Sequence, residues 1–144
     1  MSNFVIYESG GMQSFGKDNF NQSNDWRVYC KKTLENCDSS YRVKVFNPNE
    51  YFNFCDVPQY KSEDEIMRFD LYNLRNSDLV ITNFNDPKSM GTMAEMAIAY
   101  DRRIPIIGLN ADTVELHPWQ KCMCERIFTD VDEMLDYIED FYLR

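Results

Sequence analysis

The sequence predicts an α/β domain built on a parallel sheet, and three observations carry that reading. Short apolar runs alternate with helical segments along the whole chain of 144 residues. Turn or capping residues stand at the junctions between them. No composition break, linker or internal repeat divides the chain, so residues 1–144 read as one domain. Strands joined by helices pair in parallel through right-handed crossovers, which places helices on both faces. The expected architecture is a doubly wound, flavodoxin- or Rossmann-like sheet of about five strands.

The elements follow in order. Phe4-Val5-Ile6-Tyr7 is a short apolar strand stopped by Ser9-Gly10-Gly11. After a polar loop, residues 25–36 read as a helix whose apolar face is Trp26, Val28, Tyr29, Thr33 and Leu34. Residues 41–46 alternate as a second strand, ended by Asn47-Pro48-Asn49. An aromatic loop over 49–61 is long enough to cover a site. Ser62-Glu63-Asp64-Glu65 is a capping box, opening a helix to about Asn76 on Ile66, Phe69, Leu71 and Leu74. A buried strand at 79–83, a loop at 84–90 and a helix over 91–102 come next. Residues 104–109 form the fourth strand, with Pro105 near its start. A loop with a possible short helix spans 110–125, and 126–128 is a brief strand. The last helix starts at Thr129 or Asp130 and buries Val131, Met134, Leu135, Ile138 and Phe141.

Composition excludes several classes of function. The net charge of −9 opposes a nucleic-acid backbone or an anionic membrane surface as partner. No run approaches the length of a membrane-spanning helix, and the N-terminus lacks a signal-peptide pattern. Five irregularly spaced cysteines suggest reduced thiols and a cytoplasmic protein. Cys122-Met123-Cys124 is an incomplete metal pattern beside a single His, so no metal or cofactor is expected.

The chemistry gathers where strand ends meet. In open parallel sheets ligands bind at the C-terminal strand edge. There the first strand delivers Tyr7 and the turn with Gly10 and Gly11. The third delivers Asp86, Ser89 and Gly91, then Glu95 in Met90-Gly91-Thr92-Met93-Ala94-Glu95-Met96-Ala97. Asp70, on the preceding helix, reaches the same edge under the usual winding. A lone Glu in a small, apolar run is either a helix-start device or a reacting group. Thr92-x-x-Glu95 has capping-box spacing, which favours the first reading.

These residues also resemble a known family. Asp70-Leu71-Tyr72-Asn73-Leu74-Arg75-Asn76-Ser77-Asp78-Leu79-Val80-Ile81, followed by Ser89-Met90-Gly91-Thr92-Met93-Ala94-Glu95, is similar to the core signature of nucleoside 2-deoxyribosyltransferases. That group includes deoxynucleoside 5′-monophosphate N-glycosidases. Ile6-Tyr7 with Gly10, Asn47-Pro48 and Ile104-Pro105-Ile106-Ile107 continue the pattern over most of 4–109. The resemblance implies that Glu95 attacks C1′ of the sugar, with water or a second base resolving the glycosyl ester. It implies that Asp70 handles the leaving base or orients the sugar, and that Tyr7 holds the Glu95 rotamer. Ser89, in place of an Asp, points toward 5′-monophosphates, since a hydroxyl at a helix start donates to phosphate. A homodimer or higher oligomer is implied as well. The residue that relatives borrow from a neighbouring subunit has Asn110, His117 and Gln120 as candidates here.

The sequence departs from the pattern at Glu8, where an apolar strand residue is usual, and at Gln13, where phosphate-using members carry Arg; Lys17 or Lys88 could substitute. Other readings stay open. Asp70 reads equally as a helix-surface charge, Tyr7 as core, Ser89 as a plain N-cap and Gly10-Gly11 as a simple turn. Phe46, Tyr51, Phe52, Phe54 and Tyr60 divide between core and lid. Gly91-Thr92-x-x-Glu95 also resembles an element of cytokinin-activating phosphoribohydrolases, without their doubled glycine. A nucleotide-binding protein that lost turnover is the non-enzymatic alternative.

Overall fold

The computed structural model describes residues 1–12, 15, 18–51 and 62–144. The elements are β1 (Asn3–Gly10), α1 (Phe20–Glu35), β2 (Arg42–Phe46), α2 (Glu63–Arg75), β3 (Leu79–Asn83), α3 (Met90–Asp101), β4 (Ile106–Leu109), α4 (Pro118–Met123), β5 (Arg126–Phe128) and α5 (Val131–Tyr142). The strands form one sheet in the order β2-β1-β3-β4-β5, every neighbouring pair parallel. This is the doubly wound order whose direction of growth reverses between β1 and β3.

Strand alternation sorts the core into two layers. Ile6, Val45, Ile81 and Ile107 face α1 and α5, where Cys30, Leu34, Met134, Leu135 and Ile138 close over them. Their chain neighbours Tyr7, Phe46, Val80 and Ile106 face the other way, against Leu74 of α2, Met96 and Ala99 of α3 and Met123 of α4. Full burial of each such Leu or Ile contributes roughly 1.5–3 kcal/mol. Asp130 caps α5 by accepting from the Glu133 N–H at 3.0 Å.

Several elements differ from the sequence-based expectation for identifiable reasons. β1 runs on through Ser9 and Gly10, because pairing with Thr82 and Asn83 continues past the point where apolarity stops. α1 begins at Phe20, and its buried face is Ser23, Arg27, Cys30 and Leu34 rather than one containing Val28 and Tyr29, which are about half exposed. Periodicity misses this face because two of its members are polar: the Ser23 hydroxyl donates to the Phe20 carbonyl within the helix, and Arg27 reaches a distant strand. Asn49 Nδ2 donates to the Ser23 carbonyl, and Arg27 donates to Gly10. β4 begins at Ile106: Arg103 turns the chain with a positive φ of 61°, and the Ile104 N–H closes α3 on the Ala99 carbonyl. On α2, Leu74 alone is fully buried, since the N-terminal half of that helix borders a cleft. Phe141 is exposed but stacks on Tyr137 at 5.3 Å.

The four described cysteines are free thiols, and Cys55 lies outside the described residues. Among the described residues no helix is long and apolar enough to cross a membrane.

Candidate active site

The C-terminal ends of β1 and β3 open onto a cleft of about 720 Å³, bordered by α2 and the start of α3. Its position follows from topology: the crossovers leaving β1 and β3 diverge and leave a crevice between them.

Helix α3 starts at that crevice because Ser89 stops the preceding loop. The Ser89 side chain accepts from the Thr92 N–H at 3.3 Å and from the Thr92 hydroxyl at 3.0 Å. With both lone pairs taken, the remaining Ser89 proton is free to be donated. The N–H groups of Met90 and Gly91, at the cleft lining, precede the first intrahelical acceptor.

Glu95 stands in the second turn of α3 and does not close a capping box with Thr92. Its carboxylate turns to the end of β1, where Oε2 accepts from the Tyr7 hydroxyl and Oε1 from the Ser9 hydroxyl at 2.8 Å. Both oxygens are therefore held by donors on one strand, and Glu95 lines the cleft floor. Tyr7 is fully buried beneath it, stacked on Phe46 at 5.3 Å, with Tyr51 stacked on Phe46 in turn at 5.0 Å. These two aromatics thus back the site as a column; Phe52, Phe54 and Tyr60 lie outside the described residues.

Asp70 projects from α2 into the same cleft. Burial pushes its carboxyl up to about 7, with the Glu95 charge adding to the rise and Arg27 opposing it. Burial also raises Glu95, while the hydroxyls of Tyr7 and Ser9 and the Arg27 charge pull it back. Tyr7 is driven well above its ordinary value by burial and then by Glu95, so it keeps its proton for the bond. The cleft joins a carboxyl group fixed by two hydroxyls to a second carboxyl that burial pushes up to about 7. That pairing suits nucleophilic attack coupled to protonation of a leaving group.

The remaining expected residues divide. Asp86, Ser89, Gly91 and Gly10 border the cleft. Gly11 stands behind it: its N–H donates to Asn85 Oδ1 at 3.1 Å, and a Cβ there would lie 2.8 Å from that of Asp86. Gly91 has no atom within 4 Å of where a Cβ would sit, so it faces open space. Lys88 is the one basic side chain among the described lining residues, against Glu63, Asp70, Asp86 and Glu95. Gln13 and Lys17 lie outside the described residues. Asn110 is used within the chain, bonding Val114 through both its amide groups. His117 caps α4, and Gln120 bridges the Pro87 carbonyl and the His117 N–H.

Ser9 was not singled out from the sequence as a Glu95 partner. The signal was available, since residues two apart on a strand share a face and Tyr7 was already placed there. Glu8, the departure from the family pattern, faces away from the cleft toward α1 and Arg27.

The sequence profile described as Nucleoside 2-deoxyribosyltransferase matches residues 10–135. The chain belongs to the nucleoside 2-deoxyribosyltransferase family. At the level of that family the chemistry supported is cleavage or transfer at an N-glycosidic bond. Solved structures agree on the fold. A conserved protein from Enterococcus faecalis V583 superposes with a TM-score of 0.76 at 16% identity, covering 96% of this chain and 99% of that one. A 2-deoxyribosyltransferase from Bacillus psychrosaccharolyticus gives 0.70 at 14% identity, over 92% and 91%. A CMP N-glycosidase from Clostridium botulinum gives 0.55 at 15% identity, over 94% and 98%. No curated protein sequence is significantly similar to the chain.

Proposed function

We propose that this protein cleaves the N-glycosidic bond of 2′-deoxynucleosides or their 5′-monophosphates through a covalent ester on Glu95. The observation that carries the reading is the Glu95 carboxylate on the cleft floor, its two oxygens held by Tyr7 and Ser9 while Ser89 caps the helix.

Glu95 attacks C1′ as the C1′–N bond breaks, and the bonding pair leaves with the base. Asp70 supplies the proton that the departing base takes up. A water molecule, or the nitrogen of a second nucleobase, then attacks C1′ on the ester. Asp70 accepts its proton and Glu95 is released as the carboxylate. Tyr7 and Ser9 keep the attacking oxygen near 3–3.5 Å from C1′, the separation that removes most of the entropic cost of attack. The 5′ end of the sugar rests by the start of α3, where the Ser89 hydroxyl and the N–H groups of Met90 and Gly91 accommodate a hydroxyl or a phosphate. The reaction needs no cofactor or metal. The reading includes a cytoplasmic homo-oligomer, which sedimentation of the purified protein tests.

The decisive experiment is product analysis with purified protein on each deoxynucleoside and each 5′-monophosphate, with ribonucleotides alongside. Base is released by the native protein and not by Glu95→Ala, and a glycosylated Glu95 peptide is trapped at short times. Equal release by both proteins removes Glu95 from the mechanism. Tight nucleotide binding without release over hours moves the protein to the non-catalytic alternative. Faster release from ribonucleotides points to phosphoribohydrolase chemistry.

A further inference from the structure

A second charged group lies behind the cleft and does not line it. Arg27, on α1, is completely buried. Its Nη2 donates to the Gly10 carbonyl at 3.1 Å and its Nη1 to the Ser23 carbonyl, while the guanidinium lies 4.8 Å over the Trp26 ring. Among the described residues its Nε has no hydrogen-bond partner and it makes no salt bridge.

A buried guanidinium without a direct ion pair is costly, and an apolar side chain of similar volume would be more stable there. Its field falls on whatever ionisable groups lie nearest. Those are Glu8 and Tyr7 on β1, Glu95 on α3 and Asp70 on α2. Glu8 shares the buried face with Arg27, yet neither of its oxygens has a hydrogen-bond donor, and burial drives its pKa well up toward the neutral acid. Lys31, the other cation near Glu8, is engaged by Glu35, Glu50 and the Val45 carbonyl. Arg27 therefore sits between Glu8 on the α1 side and Glu95, Tyr7 and Asp70 on the cleft side. The same guanidinium also packs the cleft edge: a Cβ on Gly10 would lie 2.9 Å from the Trp26 ring and 3.4 Å from Arg27 Nη2.

We propose that Arg27 is a positioning residue for the N-glycosidic chemistry: sealed behind the end of β1, it braces the Gly10 edge of the cleft and sets a positive charge behind the Glu95 carboxyl. The inference rests on the reading of Glu95 given under Proposed function. It replaces a merely structural role for α1 with an electrostatic one, exerted by a side chain that never touches substrate.

The test is the pH profile of kcat/KM for base release, with Arg27→Lys, Arg27→Met and Arg27→citrulline. Citrulline keeps the planar shape and removes the charge, but an oxygen replaces one Nη, so one of the bonds to Gly10 and Ser23 is lost with it. It can be introduced by ligating a synthetic 1–29 thioester to a recombinant chain beginning at Cys30. This route remains open if Arg27→Met does not fold, with the native sequence assembled the same way as control. Both limbs of the profile move to higher pH in the two neutral variants, by about one unit, equivalent to about tenfold lower kcat/KM on the acid side. Arg27→Lys leaves both limbs near their native positions. A ¹³C titration of the Glu95 carboxyl reads the same shift without turnover. If the native protein releases no base but that titration moves, the catalytic reading fails while the charge effect stands. Unmoved limbs and an unmoved titration in the citrulline protein overturn the proposal, as does a Lys variant displaced as far as the neutral ones.

Discussion

Tyr7→Phe is the most informative single change at the cleft, because it removes one oxygen and almost nothing else. The Tyr7 ring is fully buried and stacks on Phe46 with an interplanar angle of 15°, contacts that Phe retains. What disappears is the hydrogen bond to Glu95 Oε2, leaving Ser9 at 2.8 Å as the remaining hydroxyl on that carboxylate. A hydrogen bond to a charged acceptor is worth about 1.5–3 kcal/mol, and the Tyr7 bond pulls the Glu95 pKa down against burial. Its loss therefore raises that pKa by about 1–2 units, at 1.36 kcal/mol per unit. The acid limb of kcat/KM for base release, which on the proposed mechanism reports ionisation of Glu95, moves up by the same amount. On the plateau kcat falls by about tenfold to a hundredfold, since the rotamer is held from one side only. Stability follows the same sign. Below the limb Glu95 is neutral and the variant unfolds close to native; above it the carboxylate lacks a donor and the variant is weaker. The assays are a base-release profile from pH 4 to 9 and thermal unfolding at both ends of that range. An acid limb that stays in place while stability drops equally at every pH would make Tyr7 a packing residue and refute the argument.

Three further outcomes follow from the geometry. On the proposed mechanism, in which Asp70 is the proton donor, Asp70→Asn abolishes the alkaline limb and lowers kcat by about 10²–10³. Asp70 has a folded pKa of about 7 against 3.8 when free, so the native protein loses stability as pH rises through that window. The variant therefore matches native below pH 4 and is more stable by about 1–2 kcal/mol above pH 7, allowing for water's access to the carboxyl; equal melting at both pH values counts against the burial argument. Gly91→Val leaves the melting temperature within a few degrees, since that position faces open space, yet raises KM at least tenfold; an unchanged KM removes Gly91 from the substrate path. Glu8→Gln copies the neutral acid that burial enforces, so its melting temperature equals native at pH 5 and exceeds it increasingly toward pH 9. A variant less stable than native at pH 9 means that the carboxylate is ionised and paired.

The fold was legible where one local rule decided each element. The apolar run at Phe4 to Tyr7, the alternation over residues 41–46, and the caps at Ser62 and Asp130 act within a few residues and read directly from the chain. The misplaced stretches are those where a distant partner decides. α1 turns Arg27 inward because the Gly10 carbonyl accepts from it across seventeen residues of sequence. β1 outlasts its apolar run because β3 continues to pair with it. At the cleft, the residue types of Glu95, Asp70, Ser89 and Tyr7 were visible in the pattern, and the family resemblance paired Tyr7 with Glu95, but the Ser9 bond to that carboxyl was not visible. Thr92-x-x-Glu95 has capping-box spacing, and only coordinates show Ser89 taking the cap.

By itself the chain determined the parallel α/β architecture and which carboxylates stand at the C-terminal strand edge, because periodicity and crossover handedness are short-range properties of the backbone. Tertiary structure alone decided that Ser9 joins Tyr7 in holding Glu95, why burial pushes the Asp70 carboxyl up, and that a buried Arg27 stands behind the cleft. Those effects arise from desolvation and through-space charge among groups far apart in sequence, and no local pattern encodes them.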